Sequence, residues 1–416
     1  MGARQAKINL KGFKMFWKKP ILLLTFLLVI LTGCTTVGTG VPNPYLETPD
    51  VTATSQVESF LAGDFLTETP AATATFKPGF TPSPTITQAP ATYYYFDEGI
   101  DPLTGLAPAD SANLDRRPVM AKVSNWPREG RPHAGLSSAD IVFEYFIGHQ
   151  MNRFLAIYYG DNSAEIGPIR SGRLVDAQLT NLYQGILAYG NADQQVDEVL
   201  IEKLHDRALA YKDLPCPPMC GYLTHSATGV YLDSAALTRY AEAIGVDNTV
   251  QDLRGFYFQD ETLQGDEQAS ILRVEYANFS IMEWRFNPDN GTYQLWQEAE
   301  TDDGLVLAPT TDRNNGQRLA FENLVVMFAD YIEYAPSLHD IEIESGRAPR
   351  EAWFFRDGQF VRGTWRVPEP NRPIIFETEP GQSMPFKPGQ TWIVIVGRSS
   401  KVEQTASDEW AIYFGL

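Results

Sequence analysis

Between residues 35 and 92 the chain consists largely of Thr, Pro, Ala and Gly, with Lys77 as its only basic residue and few large apolar side chains. Such a stretch cannot bury enough apolar surface to offset the backbone freedom it would lose on ordering. Residues 34–92 are therefore expected to form a disordered tether, kept extended by Pro-rich steps such as Pro82-Ser83-Pro84. Folding is confined to the chain from Tyr93 onward.

Ahead of the tether, Arg4, Lys7, Lys11, Lys14, Lys18 and Lys19 precede an apolar run at 21–31, which closes in Leu31-Thr32-Gly33-Cys34. A basic start, a short apolar core and a small-residue site form a secretory signal. The run is too short for a spanning helix, which takes roughly 20 residues. Its closing residues resemble the bacterial lipobox. That resemblance implies a signal peptide at 1–33 and an acyl anchor such as palmitate on Cys34, placing the chain on the extracytoplasmic face of a bacterial cell membrane.

Charge supports this division. The chain has 33 Lys and Arg against 52 Asp and Glu, and the first 33 residues hold six of the basic ones and no acid. What remains after cleavage is repelled by anionic lipid, so the acyl chains must supply the anchoring. The same imbalance argues against nucleic acid as a partner, because polyphosphate binding needs a basic face.

From Tyr93 the patterning is that of a folded protein. Runs at 119–125, 140–147 and 153–159, rich in β-branched and aromatic residues, predict strands. Val175, Leu179, Leu182 and Ile186 recur at helical spacing, with Ser171 in the N-cap position. Further helices are expected at 194–205 and 234–243. This gives an α/β domain over 93–262, a mixed sheet with flanking helices. After residue 263 short strand-like runs dominate, at 271–276, 282–286, 293–298, 324–328, 341–344, 353–355, 360–365 and 392–396. Asp289-Asn290-Gly291 and Arg356-Asp357-Gly358 carry hairpin-turn chemistry. A β-rich carboxy-terminal domain over 263–416 follows, with Trp284, Trp296, Trp353, Trp365 and Trp392 expected inside it.

One segment reverses the acidic trend. Between Arg116 and Arg173 eight basic residues (Arg116, Arg117, Lys122, Arg128, Arg131, Arg153, Arg170, Arg173) face five acids. It ends in Ile166-Gly167-Pro168-Ile169-Arg170-Ser171-Gly172-Arg173, which puts cations at a helix start, against the helix dipole. Two readings relieve that conflict. Asp176, Glu144 or Asp140 supplies an internal counter-charge, or a phosphate or carboxylate binds on the arginines and free backbone N–H groups. The second makes Arg153, Arg170, Ser171, Arg173, Arg117 and Arg131 candidate anion-binding residues.

These residues also carry a resemblance. Asp101-Pro102-Leu103-Thr104-Gly105, Arg117-Pro118-Val119 with Asn125, Arg131-Pro132, Gly135 through Glu144, Arg153-Phe154-Leu155-Ala156-Ile157 and Ile166 through Ser171 with Arg173 are similar, in order and spacing, to the YerB-like bacterial lipoprotein family. Gly363-Thr364-Trp365 and Pro388-Gly389-Gln390-Thr391-Trp392-Ile393 resemble that family's carboxy-terminal domain. The resemblance implies a lipid-anchored envelope protein of two parts, a domain of unknown function with no assigned reaction. Where the family has a Pro-His-Asn stretch, this chain has Thr224-His225-Ser226 after Cys216-Pro217-Pro218-Met219-Cys220. A shorter likeness, Ala139-Asp140-Ile141-Val142 followed by the Arg170 turn, resembles the LytR-CpsA-Psr transferases, which hold polyprenyl-linked pyrophosphate with arginines.

In an exported protein Cys216 and Cys220 read first as a disulfide. A soft-metal site with Met219 and His225, or two free thiols, are the alternatives. No Gly-x-Ser-x-Gly, His-Glu-x-x-His or phosphate-loop motif occurs, and His133 is a lone candidate for acid–base work. The sequence therefore predicts no cofactor, no metal and no recognisable catalytic residue. It points to a binding or scaffold lipoprotein of envelope assembly whose partner is an envelope glycan, an anionic lipid-linked ligand or an envelope protein. The alternative is a phosphotransferase or hydrolase acting on polyprenyl-pyrophosphate glycans.

Overall fold

A computed structural model describes residues 91–222, 228–265 and 267–416. The signal segment, Cys34, nearly all of the tether, and His225 lie outside the described residues.

Strand pairing is dictated by runs that are apolar on both faces. β1 (Val119–Ser124), β2 (Ile141–Gly148), β3 (Met151–Tyr158), β4 (Ile186–Tyr189) and β5 (Ala208–Ala210) lie in the order β2-β3-β1-β4-β5. β3 runs antiparallel to both β2 and β1, while β4 is parallel to β1 and β5 to β4. β2 then pairs in parallel with strand Thr391–Gly397, which in turn pairs in parallel with Asn323–Ala329. Hairpin strands Arg350–Arg356 and Gln359–Arg366 continue outward. Among the described residues this sheet has twelve strands, and it crosses the change in sequence character near residue 262 without a break. The first half is thus α/β, and the second is rich in strands.

The two sides of the sheet meet different partners. On one, Val142, Phe154 and Ala156 join Leu272, Trp284, Tyr293 and Ile412 of a second sheet in a continuous core. On the other, Phe143, Leu155 and Ile157 pack under helices α1 (Leu174–Leu182) and α2 (Gln194–Leu204) through Val175, Leu179, Val196 and Leu200. Helix α3 (Ser234–Ala243) adds Leu237 and Ala241 to the first side.

Several expectations needed correction. The helical period through Ile186 breaks after Leu182 because Gln184 takes a left-handed φ of 49° and Gly185 sits where a Cβ would come within 2.7 Å of Met120, so Ile186 opens β4 instead. The N-cap is Arg173, not Ser171, and its N–H donates to the Asp176 side chain at 2.7 Å. The strand expected at 341–344 lies at Leu338–Ile341. Trp296 is only half-buried, lying against the guanidiniums of Arg285 and Arg318 at 3.9 and 4.8 Å, whereas the other four tryptophans are buried. Both turn motifs close hairpins. Asp357 and Gly358, with φ of 54° and 72°, form a two-residue loop of the kind that matches strand twist.

Between the sheets lies a fully buried acid. Glu144 accepts from Asn152 Nδ2 at 2.6 Å and from Trp392 Nε1 at 2.8 Å, and burial pushes its carboxyl up to about 7. The folded state therefore keeps a proton that the unfolded chain releases near pH 4.5. This contribution is whole below that pH and is lost as pH rises towards 7, a change of roughly 3 kcal/mol. Urea unfolding of wild type and Glu144→Gln on either side of this window is expected to show a flatter pH dependence in the variant. Identical slopes would refute the assignment.

Candidate functional site

The helix-covered side of the sheet carries charge where its neighbours are apolar. Tyr145 and Arg153 are register partners on β2 and β3, and Lys122 pairs with Leu155, so period-two alternation puts all three on the face beneath α1. From α1, Asp176 comes down to meet them. Its carboxylate accepts from Lys122 Nζ at 3.1 Å and from the Tyr145 hydroxyl, while Lys122 also donates to Tyr145. Lys122 and Asp176 have no solvent exposure. Burial drives the Lys122 ammonium down to about 7, the Asp176 charge opposes this, and Arg153 and Arg173 push it lower still.

Arg153, Arg170 and Arg173 complete the cluster. Arg153 is 7 % exposed, its Nη1 donates to the Ser171 carbonyl at 3.0 Å, and its Nε has no partner. Arg173 donates from Nη1 to the Gly172 carbonyl at 2.8 Å, again with its Nε unpaired. The Nε of Arg170 is likewise buried and unpaired. Burial lowers all three guanidinium pKa values, and Arg153 falls furthest because Arg173 and Arg170 add their own repulsion. A guanidinium does not give up its proton in a protein, so these directions register stored electrostatic cost. Among the described residues none of the three forms an ion pair with a carboxylate, although Asp176 favours the charges on Arg153 and Arg173. Three guanidiniums and an ammonium thus share Asp176, with Asp193 adding a weaker influence on Arg173.

The backbone plays a different part from the one expected. The N–H groups of Arg170, Gly172 and Arg173 are all taken, by Lys122 O, Asn191 O and Asp176 Oδ2. Ser171 contributes a carbonyl that two arginines use. An anion here would rest chiefly on side chains, since these three backbone donors are occupied. Arg117 and Arg131 are not in the cluster: Arg117 is bound to Asp247 at 2.6 Å and to the Gln184 carbonyl, and Arg131 to Glu298 at 2.9 Å. His133 is fully buried with Nε2 2.9 Å from the Ser124 carbonyl, and burial followed by Arg131 lowers its pKa to about 3, so it stays neutral. Cys216 and Cys220 are joined in a disulfide. Tyr145 was not expected here, Lys122 stood only among the eight basic residues of the segment, and Asp176, named as an internal counter-charge, does take that part by pairing with Lys122; the available signal was a lone lysine inside an otherwise apolar strand.

Comparison with known proteins places this arrangement in a family. Residues 103–215 match the model described as "Protein of unknown function (DUF3048) N-terminal domain" and residues 272–393 match its C-terminal domain. The chain belongs to this two-part family. Among its relatives is "Putative lipoprotein YerB" of Bacillus subtilis (strain 168), 29% identical over 308 residues, which cover 71% of this chain and 85% of that protein. The crystal structure of the YerB protein from Bacillus subtilis superposes with a TM-score of 0.59 at 26% identity, covering 71% of this chain and 96% of the other. The amino-terminal DUF3048 match contains every residue of the arginine cluster, and the carboxy-terminal match contains the strands that extend the sheet and runs into the start of strand Thr391–Gly397, as far as Ile393.

Proposed function

We propose that this DUF3048 protein is a lipid-anchored, extracytoplasmic binding or scaffold protein of the bacterial cell envelope, tethered through Cys34, and that Arg153, Arg170 and Arg173 hold an anionic envelope ligand. The leader sequence and the name given to the Bacillus relative support the anchor. One observation carries the binding reading: three mutually repelling guanidiniums each keep a buried Nε–H without a hydrogen-bond partner, and none has a carboxylate ion-pair partner among the described residues. Leaving such donors unsatisfied is costly, and a phosphate or pyrophosphate supplies the missing acceptors in the fork geometry that Arg favours.

Mass action gives the test. A ligand at about 100 times its dissociation constant stabilises the native state by about 2.7 kcal/mol. The thermal midpoint of the full-length chain is expected to rise with pyrophosphate or a polyprenyl pyrophosphate, and Arg170→Ala/Arg173→Ala is expected to abolish that rise while remaining folded. An equal rise in wild type and variant would remove the arginines from the site. No rise with any phosphate would direct the search to protein partners.

A further inference from the structure

A second site lies at the other end of β2 and β3. Five residues along β2 separate Tyr145 from Asp140, a distance of roughly 17 Å at strand rise. Asp140 Oδ2 accepts the backbone N–H groups of Tyr159 at 2.5 Å and Gly160 at 3.3 Å. Facing it is Asp101, only 1 % exposed and within hydrogen-bonding reach of the Asp140 carboxyl. Asp101 Oδ1 accepts from Leu103 N at 2.8 Å, whereas Oδ2 is buried and receives no donor. That unpaired oxygen lies against Gly160, where a Cβ would come within 2.6 Å of it. Burial raises the pKa of both carboxyls, that of Asp101 to about 6, so the pair is poorly compensated within the protein. Arg116 is the nearby cation, but its guanidinium is engaged by the carbonyls of Arg117, Tyr158 and Tyr159 and by Asn162.

Both carboxyls line a cavity of about 300 Å³ that also takes in Asp161, Glu322, Thr104 and Gln390, with no Lys or Arg in its wall. Five segments of the chain build it: Asp101 to Pro108, Ser137 to Asp140, Gly160-Asp161, Glu322, and Gly389-Gln390, the last locked in place by Gln390 Nε2 donating to the carbonyls of Ser137 and Ala139. The exposed Leu106, Ala107 and Asp161 put its mouth at the surface. Two facing carboxyls hold together around a proton or a cation. Among the described residues no group of three metal-ligating side chains is placed to hold a metal ion. A primary ammonium suits the pair better, since its N–H groups reach two carboxyls and leave one for a hydroxyl such as that of Thr104.

We propose that this cavity binds the ammonium group of a small hydroxylated amine, an amino sugar being the class that fits its size and polar wall, with Asp101 and Asp140 as the counter-charge. This site is independent of the arginine cluster. Calorimetric titration of the full-length chain with glucosamine, N-acetylglucosamine, ethanolamine and calcium ions tests it. Saturable binding of glucosamine is expected, with N-acetylglucosamine about tenfold weaker or more, the loss of one charged hydrogen bond. Asp101→Asn is expected to weaken glucosamine by a similar factor while leaving the pyrophosphate response intact. Asp161→Asn, on the exposed rim, is expected to weaken it by a smaller factor and serves if the buried variant does not fold. Equal affinity for the two sugars, binding of calcium without either amine, or no binding of either amine would each overturn the proposal, the last leaving a carboxyl pair that shares a proton.

Discussion

Asp176→Ala is expected to cost roughly 3–5 kcal/mol of stability, the loss typical of breaking a buried ion pair on one side only. Asp176 has no solvent exposure and neutralises Lys122 at 3.1 Å, accepts from Tyr145, and takes the N–H at the start of α1. Without it Lys122 remains buried beside Arg153 and Arg173 with no opposing charge. The folded-state pKa of Lys122 already lies below its unfolded value of 10.5, at about 7. Stability from this group therefore rises with pH between those values, as the unfolded chain holds the proton that the folded chain gives up. Losing the Asp176 charge lowers the Lys122 pKa further, so the deficit of Asp176→Ala is expected to shrink as pH rises towards about 7 and to level off above it, where Lys122 is neutral in both folded states. Adding Lys122→Met should recover part of it, since an apolar side chain in place of an orphaned charge removes the desolvation cost. Pyrophosphate should raise the midpoint of Asp176→Ala more than that of wild type, because the cluster it enters has lost the carboxylate that competes with it for the cations. Urea unfolding measures the first two effects and a thermal shift the third. A loss below about 1 kcal/mol, the range of an exposed pair, would show that Asp176 does not hold the cluster together.

The residues of this cluster show what a sequence reveals and what it hides. Arg170 and Arg173 stood out because cations at a helix start oppose the dipole, a purely local conflict. Arg117 and Arg131 were grouped with them by closeness along the chain, yet their counter-charges, Asp247 and Glu298, arrive from residues more than a hundred positions away. Only the fold could separate the two kinds of arginine. Tyr145 escaped notice, and Lys122 was counted without being placed beside Asp176, because a strand buried on both faces has no polar side to mark its pattern. The same reasoning applies to the sheet. Its strands were legible as short β-branched and aromatic runs, and both hairpins from their turn residues. The parallel pairing of β2 with strand Thr391–Gly397, across some 250 residues, leaves no local trace. The paired carboxyls Asp101 and Asp140 were hidden likewise, since in so acidic a chain no two acids are singled out until the fold brings them together.

That long-range pairing makes Trp392 the side chain whose loss should be felt across the whole folded part. It is fully buried on the central strand Thr391–Gly397, with ring centroids 5.0 Å from Phe154 of β3, 5.0 Å from Phe321 and 5.9 Å from Trp284 of the second sheet. Its Nε1–H donates to Glu144 of β2 at 2.8 Å. Trp392→Ala removes a large apolar volume where three aromatic walls meet, at an expected cost of about 3–5 kcal/mol. It also takes away a donor that favours the Glu144 carboxylate, so the Glu144 pKa should climb further and the loss should be larger above neutral pH than below pH 5. Trp392→Phe keeps the aromatic packing and forfeits the N–H, and should fall between the two. Because the ring touches both halves of the chain on a sheet they share, far-ultraviolet dichroism and tryptophan fluorescence should report one coincident transition, shifted as a whole. Two transitions, with only the later half of the sequence destabilised, would mean that the shared strands do not couple the halves energetically.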